Sequence, residues 1–137
     1  MRRVPHLSGS SRFPPTDHAL ESPNGLLAAG GGLSTERLLD AYSRGIFPWY
    51  EAPQPVLWWT PDPRSVLFPS ELHISRSLRK TLRANRFRLA VDTQFVTVMR
   101  SCGEARRDGV GTWIDEDMVA AYARLHTLGF AHAVEVF

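Results

Sequence analysis

The sequence holds one cysteine, Cys102, and one lysine, Lys80, among 137 residues. A single thiol makes neither an intrachain disulfide nor a multi-cysteine metal site, and its place in an apolar helical pattern predicts a buried side chain. Long hydrophobic runs are missing as well. The longest uncharged stretch, Ser22 to Thr35, is rich in Gly and Pro and falls short of the ~20 apolar residues a membrane-spanning helix needs. The N-terminus, Met1-Arg2-Arg3-Val4-Pro5-His6, is basic, but Pro, His and Ser follow where a secretory signal would carry its apolar segment. These absences point to a cytoplasmic protein without membrane contact. The five histidines, at 6, 18, 73, 126 and 132, show no paired ligand spacing, and there is no Gly-x-Ser-x-Gly elbow. Metal catalysis and triad hydrolysis therefore find no support.

What is present suffices for a core: 43% of the residues are hydrophobic and 22% charged, the balance of a globular chain. The formal net charge is only +2, yet it is unevenly spread. Residues 1–69 carry six basic and six acidic side chains, residues 70–107 nine and three, and residues 108–137 one and five. A basic middle segment is thus hidden in the total by an acidic tail. All the basic residues except Lys80 are Arg, whose planar fork suits phosphate or carboxylate.

Four prolines in residues 1–24 predict loop or extended chain there. After Gly30-Gly31-Gly32, Ser34 is a good N-cap, and Leu33 and Leu38 have the spacing of a hydrophobic staple. A helix is expected from about Thr35 to Arg44, with Leu38, Leu39, Tyr42 and Ile46 on its inner face and Gly45 as its left-handed stop. Val56 to Trp59 reads as a short strand between turns, and Pro61-Asp62-Pro63 as a boundary. Beyond it, expected elements are a strand at Ser65 to Phe68, a helix from Arg76 to about Asn85 capped by Ser75, and a strand at Phe87 to Val91. A helix carrying Phe95, Val98, Met99 and Cys102 follows, then a polar loop from Gly103 to Gly111. Asp115, Glu116 and Asp117 place negative charge at the start of a helix running to Leu128, with Met118, Tyr122 and Leu125 inward. Phe130 to Phe137 reads as a last strand. A sheet that stops on such a strand leaves an open edge, so the chain reads as cut in mid-domain.

Two features carry chemistry. Arg76, Arg79, Lys80 and Arg83 recur at i, i+3, i+4 and i+7, with Leu78 and Leu82 opposite, so one face of that helix is read as core and the other as cation. Such a stripe suits a phosphate backbone; a solvated surface face is the plainer alternative. Trp49 and Trp113 lie in loops, where a rigid exposed ring can stack an unpaired base, the alternative being packing between the two units. Trp58 and Trp59 are expected in the core or at an interface. Gly30-Gly31-Gly32 before a helix could hold an anion, but lacks the Lys of a phosphate loop and reads better as a turn.

Five stretches carry a resemblance: Pro23-Asn24-Gly25-Leu26-Leu27-Ala28, Arg44-Gly45-Ile46-Phe47-Pro48-Trp49, Trp58-Trp59-Thr60-Pro61-Asp62-Pro63-Arg64, His73-Ile74-Ser75-Arg76-Ser77 and Gly111-Thr112-Trp113-Ile114. Together they resemble the N-terminal part of bacterial leucyl/phenylalanyl-tRNA protein transferases. The resemblance implies an α+β protein: a small N-terminal α+β domain over residues 1–63, followed over residues 64–137 by the first half of an acetyltransferase-like (GNAT) mixed α/β domain. It implies transfer of Leu or Phe from aminoacyl-tRNA to the N-terminal Arg or Lys of proteins, marking them for degradation, with no ATP, metal, acetyl-CoA or other cofactor. It places Trp49 and Trp113 around the 3′ aminoacyl-adenosine, Arg76, Arg79, Lys80 and Arg83 toward the tRNA, and Tyr42 and Tyr122 near the site. The family's Asp-x-Gln pair, which orients the attacking amine, would lie beyond residue 137, so no catalytic residue is assigned within the chain and 1–137 alone is expected to be inactive. An RNA-binding module or an inactive truncated product is the alternative.

Overall fold

The computed structural model of the chain describes residues 3–104 and 112–137. Among them it is a mixed α/β protein with four helices and two sheets. The first sheet has the order β1-β2-β4-β3, built from His6–Leu7 (β1), Leu26–Gly30 (β2), Phe47–Pro48 (β3) and Leu57–Trp59 (β4). β1 runs parallel to β2, while β4 is antiparallel to both neighbours. Gly25 precedes β2 at φ +91°, and a Cβ there would lie 2.5 Å from the Pro61 backbone, so glycine is what lets the two turns meet.

Helix α1 (Thr35–Ser43) starts as its sequence requires, with the Ser34 hydroxyl accepting from the Arg37 amide. It stops at Gly45, φ +70°, where a left-handed residue lets the Gly45 and Ile46 amides reach back to the Tyr42 and Ala41 carbonyls. Its buried face differs from the expected one. Leu38 and Ala41 are buried together with Arg37, whereas Tyr42 is 49% exposed. The Arg37 guanidinium is kept inside by donating to the carbonyls of Ser8, Gly9 and Gly31 at 3.0–3.1 Å, which satisfies a charge that would otherwise resist burial.

The core joins both ends of the chain. Leu7, Phe13, Leu27, Leu38, Ile46 and Trp58 pack with Ala121 and Leu125 of α4 (Glu116–Thr127). Trp58 is fully buried, its indole N–H donates to Gly30 O at 2.9 Å, and Phe13 meets it edge-on at 4.9 Å. Helix α4 begins where its acidic start places it, with Asp115 capping the Met118 amide, and Met118 and Leu125 face inward as expected. Tyr122 is only partly buried.

Between these lie α2 (Arg76–Arg83), β5 (Leu89–Val91) and α3 (Phe95–Gly103); β5 pairs antiparallel with β6 (Val134–Val136). Four expectations need correction. Ser65 to Phe68 forms no strand: Val66, Leu67 and Phe68 are exposed and find no ladder partner among the described residues, and a short apolar run does not make a strand without one. Leu78 and Leu82 are 45% and 58% exposed, so the apolar face of α2 does not enter a core. Cys102 is exposed, because α3 buries only Phe95. The last strand covers Val134–Val136 rather than the whole of Phe130 to Phe137, since Gly129 to His132 turns away from α4 first. The loop expected at Gly103 to Gly111 lies for the most part outside the described residues.

Candidate functional site

Trp49 follows Pro48 at the end of β3 and holds its ring 52% exposed. The exposure is built, not accidental, because the residue's backbone is fixed on both sides. Its amide donates to Leu57 O at 2.9 Å, its carbonyl accepts from the Trp59 indole N–H at 2.7 Å, and the two indoles lie 6.1 Å apart at 53°. Trp58 and Trp59 thus divide by the two-residue period of β4, the first facing the core and the second supporting Trp49.

Trp113 is 39% exposed, two residues before the Asp115 cap of α4. The Thr112 hydroxyl accepts from the Ile114 amide at 3.1 Å. Ile114 in turn sits so close to Gly103 of α3 that a Cβ at that position would meet its carbonyl at 3.1 Å. Both tryptophans therefore present part of a large apolar ring from a restrained segment.

Two tyrosine contacts tie α4 and its N-terminal cap to other elements. The Tyr42 and Tyr122 hydroxyls hydrogen-bond to each other between α1 and α4, with the rings edge to face at 6.2 Å. Tyr50, buried beside Trp49, donates its hydroxyl to Asp115 Oδ2 at 3.0 Å. Burial raises both the Tyr50 and Tyr122 phenols, and hydrogen bonding to Asp115 and to Tyr42 respectively adds to the effect, so both remain neutral at ordinary pH. Tyr50 also lines a cavity of about 300 Å³ with Leu33, Val56, Ala120 and Arg124.

The family resemblance places Tyr42 and Tyr122 near the site and leaves Tyr50 out. Its signal was available: a tyrosine in an aromatic loop next to an exposed tryptophan needs a partner for its hydroxyl. The partner, 65 residues away, has no local trace.

The four cations of α2 form a second surface. No α2 residue is buried, and among the described residues Arg76, Arg79, Lys80 and Arg83 make no ion pair. The structure does not bring them into contact with the aromatic group. Among the described residues no cluster of His, Cys, Asp and Glu could hold a metal, and no helix is long and apolar enough to cross a membrane.

Comparison with known proteins gives the family of the chain. The family model for leucyl/phenylalanyl-tRNA protein transferase matches residues 66–137, and that for the N-terminal domain of the same transferase matches residues 31–62. The transferase of Nitrosospira multiformis is 55% identical over 134 residues, 98% of this chain and 58% of that protein. Those of Aromatoleum aromaticum and Azotobacter vinelandii are 58% and 57% identical over 96% and 93% of this chain. The chain spans a little over half the length of these relatives. With one family model covering more than half of the chain and a second covering part of the remainder, the chain belongs to the leucyl/phenylalanyl-tRNA protein transferase family.

Proposed function

We propose that the chain serves the transfer of Leu or Phe from aminoacyl-tRNA to the N-terminal Arg or Lys of proteins, in the cytoplasm, as a mark for degradation. The observation that carries this reading is the family match over residues 31–62 and 66–137. Two restrained, half-exposed indoles at Trp49 and Trp113 agree with it. In this reading residues 1–63 form the small N-terminal domain and residues 64–137 belong to an acetyltransferase-like (GNAT) domain.

The proposed division of labour follows from the chemistry. The substrate ester is already activated, so attack by an amine needs no ATP, metal or acetyl-CoA. It needs the carbonyl held near a neutral, oriented amine, with donors for the developing oxyanion. Trp49 and Trp113 are flat surfaces for the unpaired terminal adenosine, worth about 1–3 kcal/mol per stacked base. In this reading the paired hydroxyls of Tyr42 and Tyr122 stand near the site. The exposed stripe of Arg76, Arg79, Lys80 and Arg83 supplies charge for acceptor-stem phosphates, largely blind to sequence. The test is binding of Phe-tRNA set against uncharged tRNA. Tighter binding of the charged form is expected, and equal binding would reduce the chain to a general RNA-binding module.

A further inference from the structure

We infer that Tyr50 and Asp115 are a positioning pair that fixes the Trp49 ring relative to the Trp113 ring. The inference rests on the proposal that these two rings hold the aminoacyl-adenosine. It starts from the placement of the hydrogen bond. Tyr50 adjoins Trp49, Asp115 stands two residues after Trp113, and the Tyr50 hydroxyl donates to Asp115 Oδ2 at 3.0 Å. Among the described residues this is the side-chain hydrogen bond that joins segment 47–50 to segment 112–115. Each segment is locally fixed already, the first by the Trp49 amide and carbonyl on β4, the second by Thr112 and the close seat of Ile114 on Gly103. Local restraint sets each ring on its own segment but not the gap between the segments.

Asp115 is suited to close that gap because its two oxygens divide the work. Oδ1 accepts the Met118 amide at 2.7 Å and so caps α4, leaving Oδ2 for Tyr50. The carboxylate is thereby held by the helix it caps, and Tyr50 is held by burial at 7% exposure. A bond between two such anchors restrains distance far better than one between mobile side chains. Two rings that must hold one nucleoside need that restraint, since a displacement of about 1 Å can cost a hundredfold in a reacting geometry.

The experiment uses the whole chain labelled with 5-fluorotryptophan, its resonances assigned by single Trp→Phe variants. Binding of a non-hydrolysable 3′-phenylalanylamido-adenosine is measured in parallel. Tyr50→Phe keeps the buried ring and removes only the hydroxyl. It is expected to move the ¹⁹F resonances of Trp49 and Trp113 while leaving Trp58 in place, and to weaken the analogue roughly three- to tenfold. Asp115→Asn keeps the Oδ1 cap and presents an amide N–H to the Tyr50 oxygen, so it should stay close to wild type in both readouts. Unmoved Trp49 and Trp113 resonances in Tyr50→Phe would overturn the inference. So would equal losses in both variants with a fallen melting temperature, which would make the pair a fold contact. A wild-type chain that ignores the analogue while Tyr50→Phe still moves both resonances would remove the adenosine reading and leave the pair standing.

Discussion

His132 Nδ1 lies 2.6 Å from Asp92 Oδ2, while the other Asp92 oxygen accepts the Ala133 amide at 2.8 Å and faces His126 Nδ1 at 3.8 Å. The bond links the residue after β5 to the residues before β6, so it closes the end of the small sheet. Asp92 adopts φ +60° there, a conformation Asp tolerates better than most residues. The hydrogen bond to Asp92 raises His132, and the same bond from His132 lowers Asp92. Stability from His132 is full below its ordinary value of 6.5 and lost as pH rises through the raised one. Stability from Asp92 is full above its ordinary 3.8 and lost as pH falls through the lowered one. The pair therefore contributes most between those two ordinary values. Melting curves of wild type and His132→Ala should differ more at about pH 5.5 than at about pH 8.5. An equal difference at both would mean that no ion pair forms.

The stripe on α2 supplies the second prediction. Replacing Arg76, Lys80 and Arg83 by Ala should flatten the dependence of tRNA affinity on salt by roughly three counterions' worth, since each phosphate contact contributes close to one. The helix has no buried residue, so the substitutions should leave the melting temperature nearly unchanged. An unchanged salt slope would return the stripe to a solvated surface.

Trp49 and Trp58 separate binding from folding. Trp58 is fully buried with its N–H satisfied by Gly30 O. Trp58→Ala is therefore expected to cost about 3–5 kcal/mol of stability, as for large aromatic truncations in a core. Trp49→Ala removes a half-exposed ring, so its main effect should be on the aminoacyl-adenosine analogue, a loss of about 1–3 kcal/mol. Denaturant melts and titrations on the two variants check both. Equal stability losses would mark Trp49 as core.

Arg37 gives a fourth prediction, and a view of what sequence can and cannot reveal. Its guanidinium donates to three backbone carbonyls from a site 7% exposed, so Arg37→Ala should cost about 2–4 kcal/mol in a urea melt. Nothing near Arg37 in the sequence marks it, because its acceptors at Ser8 and Gly9 come from another part of the chain. Local signals read well: Ser34 caps its helix, Gly45 ends it, and the acidic run from Asp115 marks the start of α4. The long-range pairs did not. Glu135 replaces the missing side-chain cap of α3 by accepting the Gln94 and Thr93 amides, bonds that hold its carboxyl below the usual range, Gln94 foremost. The same limit explains the failed strand at Ser65 to Phe68 and the open face of α2. Periodicity marks a face as apolar and does not say what covers it.

The last prediction concerns how unevenly the polypeptide 1–137 is held together and what that means for turnover. In the first sheet, β2 and β4 pair on both sides, with Leu27 and Trp58 buried beneath them. The second sheet is a two-stranded ribbon, and a ribbon of that size is marginal unless packed. Its Glu135 face is packed, but Leu89, Val91, Val134 and Val136 form a single opposite face that is 60–67% exposed. Opening that ribbon breaks few buried contacts, so amides of β5 and β6 should exchange faster than those of β2 and β4. Transfer of Phe to an Arg-starting peptide by this polypeptide alone should be undetectable. Trp49, Trp113 and the α2 stripe suit the tRNA side of the reaction, but no residue of 1–137 is assigned to orient the amine. Hydrogen exchange and a labelled-Phe transfer assay on one preparation test the two halves separately. Uniform protection through Phe137 would show that the exposed ribbon face is covered in solution, for instance by a second copy. Measurable turnover would show that a residue within 1–137 can position the amine unaided, with Tyr42 and Tyr122 the first to be replaced by Phe.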